Sequence, residues 1–115
     1  MKATIYHNPR CSKSRQTLAL LEEKGVDLEI IEYLKTPPDQ QTLQDILSKL
    51  NIDPLSLMRK GEPIFTELKL VDKAGDEQAL LEAMVKNPIL IERPIVLANG
   101  KAAIGRPPES AMDIL

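Results

Sequence analysis

The stretch KATIYHNPRCSKSRQTLALLEEKGVDLEIIEYL, residues 2–34, decides the fold. Lys2 to Tyr6 (KATIY) reads as a strand, and the polar loop His7-Asn8-Pro9-Arg10 ends it. From Ser12 to Lys24 the apolar residues Leu18, Leu20 and Leu21 recur at helical spacing, and Gly25 stands where helices commonly end. Leu28 to Leu34 (LEIIEYL), with Ile30, Ile31 and Tyr33, reads as a second strand. A strand, a helix and a second strand, joined by a crossover of this length, predict parallel pairing.

Working outward, Pro37-Pro38 breaks the chain and Asp39 is placed to cap a helix. Leu43, Ile46, Leu47 and Leu50 then form an i, i+3, i+4, i+7 stripe. Asp53-Pro54 is a second cap-and-proline start, followed by LSLMRK. Asp76 opens a third helix carrying Leu80, Leu81, Met84 and Val85, and Asn87-Pro88 closes it. These stripes are core-facing surfaces. Residues 94–98 (PIVLA), Asn99-Gly100 and residues 101–104 (KAAI) form a hairpin with a type I′ turn signal. Pro107-Pro108-Glu109 begins a last helix running to Leu115. The order is βαβ, a helical insert over about 40–86, then ββα. An α/β chain of this order resembles the thioredoxin-like plan with a mixed sheet, and residues 1–115 are expected to form one domain.

Bulk properties narrow the function. Tyr6, Tyr33 and Phe65 are the only aromatic residues, so Leu, Ile, Val and Met must build the core. A chain of 115 residues can do this without disulfide or metal. The formal net charge of −2 gives no basis for general nucleic-acid binding. One cysteine rules out an intramolecular disulfide, and one cysteine with one histidine is too few for the usual zinc sites, so no metal is expected. No apolar run approaches the ~20 residues of a membrane span. The first strand-like run opens at Lys2, which leaves no room for a signal peptide, so a cytoplasmic location and no membrane association are expected.

The chemistry concentrates at Cys11. It follows a strand and precedes a helix, and helix N-termini offer unpaired N–H groups and partial positive charge to an anion. A thiolate is favoured there, and the thiolate is the reactive form. Arg10 and Arg15 add charge, Ser14 can donate to the sulfur, and His7 can do the same or protonate and lower the thiol pKa. A lone cysteine is more often a buried structural residue, but HNPRCSKSR is polar and basic, which fits a reactive thiol better. A C-x-x-C dithiol is absent because the fourth position is Ser14. The phosphatase Cys-x5-Arg loop is absent because Thr17 stands where its arginine would be.

Three distal arginines, Arg59, Arg93 and Arg106, each lie at the end of an element, and the last two precede Pro94 and Pro107. In a thioredoxin plan the hairpin's first strand starts beside the active-site helix, which would bring Arg93 close to Cys11. Guanidinium forks around a thiolate would suit a tetrahedral oxyanion. For Arg59 alone, a solvated surface charge is the simpler reading.

Residues 4–18 (TIYHNPRCSKSRQTL) resemble the active-site segment of the glutaredoxin-coupled arsenate reductases. LMRK around Arg59, NPILIERPIV around Arg93 and IGRPPE around Arg106 are similar to that family's other signature segments, in the same order. The resemblance implies a thioredoxin-like fold with a helical insert, Cys11 as nucleophile, and Arg59, Arg93 and Arg106 as oxyanion-binding residues. It implies that His7, Ser14 and Arg15 tune and position the thiolate, and that Arg93-Pro94 is a cis peptide. It further implies arsenate or a similar oxyanion as substrate, no bound cofactor, glutathione as co-substrate and glutaredoxin as protein partner; a monomer is expected. The chain departs from well-established members in carrying Ser12-Lys13 where they have Gly-Thr, and in ending at Leu115 where they continue.

Alternatives remain at this point. One is a thiol reductase for another anionic substrate. A second is an interaction protein similar to the related regulators that bind RNA polymerase, which typically carry the C-x-x-C switch that Ser14 removes here. A third is a non-catalytic glutathione-binding module, which would not demand the three distal arginines.

Overall fold

The computed structural model describes Met1–Leu115, and the chain forms two compact units: 1–36 with 93–115, and 37–92. In the first unit four strands, β1 (Lys2–His7), β2 (Asp27–Glu32), β3 (Ile95–Ala98) and β4 (Lys101–Ile104), form one sheet in the order β2-β1-β3-β4. β1 pairs parallel with β2 and antiparallel with β3, and β3 pairs antiparallel with β4. This is the mixed thioredoxin-like sheet that the element order implies.

Alternation explains the packing. Ala3 and Ile5 lie opposite Ala98 and Val96, and all four join Leu21, Ala111 and Ile114 in one buried cluster. Leu21 comes from helix α1 (Ser12–Glu23). That helix ends with Gly25 at φ 71°, a left-handed conformation that glycine adopts without a Cβ penalty. The hairpin turn has Asn99 at φ 55° and Gly100 at φ 72°, as a type I′ turn requires.

The C-terminal segment differs from expectation. Residues Pro108–Ile114 form a 3₁₀ helix, not an α-helix. The burial explains the tighter winding: Pro108, Ala111 and Ile114 are all buried, and a repeat of three matches the three residues per turn of a 3₁₀ helix. β2 also stops at Glu32, two residues short of the reading, because Lys35 N–H and Thr36 N–H both donate to the Glu32 carbonyl and turn the chain.

In the second unit, helix α2 (Gln40–Leu50) starts where Asp39 accepts from Thr42 N–H at 2.8 Å, and buries Leu43, Ile46 and Leu47. Asp53 caps a short 3₁₀ turn, Pro54–Leu57, and Met58-Arg59-Lys60 after it is not helical as the start signal suggested. Met58 is extended and bridges to Ile91, while Arg59 N–H donates to Leu90 O and Glu92 N–H to Leu57 O. A five-residue helix, α3 (Pro63–Glu67), buries Phe65. Helix α4 (Glu77–Lys86), capped by Asp76, buries Leu80, Leu81, Ala83 and Met84. No helix is long and apolar enough to cross a membrane.

Candidate active site

Cys11 is the N-cap residue of α1, extended at φ −95° and ψ 122°, and its side chain makes no cap hydrogen bond. The preceding loop is closed by Cys11 N–H donating to Asn8 O at 3.0 Å, and the helix is opened by Arg15 N–H donating to Cys11 O at 3.0 Å. These bonds hold the side chain beside the free N–H groups of the first helical turn.

The thiol is buried, with 9% of its surface exposed. Burial disfavours the thiolate, but the backbone N–H of Ser14, the Arg93 guanidinium, the backbone N–H of Lys13 and the Arg106 guanidinium together outweigh it. The Cys11 pKa consequently lies below its ordinary value. Arg106 Nη1 stands 4.0 Å from Sγ and also donates to the Arg93 carbonyl at 3.3 Å. The two arginines thus share one corner with the sulfur.

That corner is built by the ends of the hairpin. Both Arg93-Pro94 and Arg106-Pro107 are cis peptides; the first was expected from the resemblance and the second was not. Gly105 N–H donates to Pro94 O at 2.9 Å. A Cβ added at Gly105 would fall 2.5 Å from Thr17 Oγ1 and 2.8 Å from Pro94 Cγ. The chain can pass between Pro94 and helix α1 only because this residue has no side chain. Gly105 and Thr17 are therefore supporting residues that the sequence reading did not single out, although Gly105 lies within IGRPPE.

The residues around the loop depart from expectation. The Ser14 hydroxyl is not directed to the sulfur: it lies 2.6 Å from His7 Nδ1 and accepts from Asn8 N–H at 3.0 Å. It is the Ser14 backbone N–H that lowers the thiol pKa. His7 is buried, and burial pushes its pKa below the ordinary value; Glu32 opposes this and Arg15 adds to it. That shift works against the protonated imidazole suggested as a source of positive charge. Arg15 is turned toward the loop, where Nη1 donates to Pro9 O at 2.9 Å. Arg10 is exposed, and its N–H donates to Asn8 Oδ1. The charge lowering the thiol pKa comes from Arg93 and Arg106, not from the two arginines that flank the cysteine in sequence. Arg59 lies in the second unit, where Nη1 pairs with Glu62 Oε2 at 3.1 Å.

A thiolate ionised beside two guanidinium groups can act as a nucleophile toward an anionic electrophile. Known proteins are similar to this chain over almost its whole length. The ArsC family profile matches residues 6–114. An uncharacterised Escherichia coli protein, YfgD, is 56% identical over 112 residues, covering 96% of this chain and 94% of its own. An arsenate reductase of Neisseria meningitidis is 51% identical over 112 residues, covering 96% of both chains. The solved structure of an arsenate reductase from Vibrio cholerae superposes with a TM-score of 0.95 at 46% identity, over 100% of this chain and 98% of the other. With Cys11, Arg93 and Arg106 all inside the matched span, the chain belongs to the ArsC family.

Proposed function

We propose that the protein reduces arsenate to arsenite, with Cys11 as nucleophile and glutathione and glutaredoxin as reductants. The observation that carries this reading is the lowered-pKa thiol with Arg106 Nη1 at 4.0 Å and the Arg93 guanidinium acting on the same sulfur. Similarity to proteins named arsenate reductase supports the substrate.

In this scheme Cys11 Sγ attacks arsenic, and an S–As bond forms as one oxygen takes up protons and leaves as water. A glutathione thiolate then attacks Cys11 Sγ. The S–S bond forms, the S–As bond breaks with its electron pair staying on arsenic, and arsenite departs. Arsenic gains two electrons, and the two sulfurs lose one each. Glutaredoxin removes the glutathione by thiol–disulfide exchange and regenerates the Cys11 thiolate. Arg93 and Arg106 stabilise the anionic ground state and the charge that builds on the oxygens.

The test is arsenate turnover with glutathione and glutaredoxin supplied. Cys11→Ser is expected to abolish it. Arg93→Ala and Arg106→Ala are expected to cut it at least tenfold while leaving the fold intact, since charge-assisted hydrogen bonds to a substrate are worth about 1.5–3 kcal/mol. Arg59→Ala tests the share that the resemblance gives to the second unit's arginine. Full turnover in Cys11→Ser sinks the reading.

A further inference from the structure

We propose that the cavity behind the Cys11 loop is the binding site for glutathione, held as a zwitterionic peptide thiol by Arg10, Lys35 and Glu32; this rests on the reading of glutathione as reductant. The cavity measures about 520 Å³, within the ~300–1,000 Å³ range of small-ligand sites. The Asn8-Pro9-Arg10 turn forms one side, and Glu32, Leu34 and Lys35 form the other. Its charges match the ligand. Glutathione carries two carboxylates and one ammonium at neutral pH, and the walls carry two cations, Arg10 and Lys35, and one carboxylate, Glu32. A simple oxyanion such as arsenate has no cationic group to pair with Glu32.

The walls are preformed. Asn8 O accepts from Cys11 N–H, Asn8 Oδ1 from Arg10 N–H, and Pro9 O from Arg15 Nη1 at 2.9 Å. On the opposite wall, Lys35 N–H donates to Glu32 O. The Lys35–Glu32 ion pair is loose at 3.5 Å, with the two side chains 78% and 42% exposed. A pair this exposed contributes little to the fold and can exchange its partners for those of a ligand. Leu34, 42% exposed, offers an apolar floor for the ligand's methylene groups. The turn that forms the first wall ends next to Cys11, the residue with which the ligand's thiol must react. It also gives Arg15 a role: its guanidinium braces that wall.

S-methylglutathione, which cannot react, tests the site on the full chain by amide NMR titration. Shifts are expected at Asn8–Cys11 and Glu32–Lys35. Lys35→Glu and Arg10→Glu are each expected to weaken binding by about fivefold or more. N-acetyl-S-methylglutathione, which lacks the ammonium, is expected to bind wild type more weakly than the parent and Glu32→Gln equally with it. Absence of binding, shifts confined to other surfaces, or charge variants with wild-type affinity would each overturn the proposal. No arsenate is present in this experiment. Failure here beside robust glutathione-dependent arsenate turnover removes the binding site and leaves the activity standing; binding here without turnover does the reverse.

Discussion

Burial alone would raise the Cys11 pKa, because a thiolate loses more hydration than a thiol when water is withdrawn. Two backbone N–H groups and two guanidinium groups reverse that outcome. The alkylation rate of Cys11 is therefore expected to show a midpoint below the ~8.5 of free cysteine. Arg93→Ala should move the midpoint up further than Arg106→Ala, in line with the larger effect of Arg93. A midpoint at or above the free value in wild type would remove the activated thiolate. His7 makes a separate, stability-level prediction. Its pKa is lowered on folding, chiefly by burial, so below the unfolded value of ~6.5 the unfolded chain binds the proton more readily than the folded one. Wild type is expected to lose stability as pH falls from 6.5 toward the folded value, by urea unfolding. His7→Asn should show a flatter pH dependence across that window; an unchanged slope would show that the buried imidazole does not contribute.

Element by element, the hairpin ends and the start of α1 converge through Gly105. An alanine there would meet both Thr17 and Pro94 at under 3 Å, and overpacking of this kind costs about 1–3 kcal/mol. Because Pro94 follows Arg93, and Arg106 follows Gly105, Gly105→Ala is expected to lower turnover more than its loss of stability alone would produce. Urea unfolding and kinetics on the same preparation check this; a destabilised protein with wild-type turnover would show that Gly105 serves packing only. Where local chemistry decides the outcome, the sequence is enough. β4 occupies residues 101–104 as expected, Asn99-Gly100 makes the positive-φ turn, and Asp39 and Asp76 cap their helices. Where tertiary packing decides, the sequence is not enough. α3 has only five residues, too few to show a period, and the C-terminal 3₁₀ winding follows from the burial of Ala111 and Ile114. The motifs at Cys11, Arg93 and Arg106 were legible, and the structure brings these three residues together, but the partners of Ser14 and His7 were not legible. A hydroxyl three residues along from a cysteine can face either the sulfur or the imidazole, and the fold alone selects the imidazole.

On the scale of the whole chain, the decisive fact is that Cys11 is the only cysteine. Once its sulfur is oxidised or carries an adduct, no second thiol in this molecule can resolve it. Ser14 occupies the place of a C-x-x-C partner, and its hydroxyl is engaged with His7. An external thiol must form the first disulfide, and exchange then leaves Cys11 either free or in a mixed disulfide. If glutathione is that thiol, enzyme stalled with arsenate and glutathione but no glutaredoxin is expected to carry one glutathione on Cys11, read by intact-mass and peptide mass spectrometry. Adding glutaredoxin should remove the adduct and restore turnover. Thioredoxin attacks disulfides through its own dithiol and lacks a glutathione site, so as sole reductant it should support little turnover. Sustained multiple turnover with thioredoxin alone, and no glutathione adduct in the stalled enzyme, would replace this reductant scheme with direct reduction by a protein dithiol.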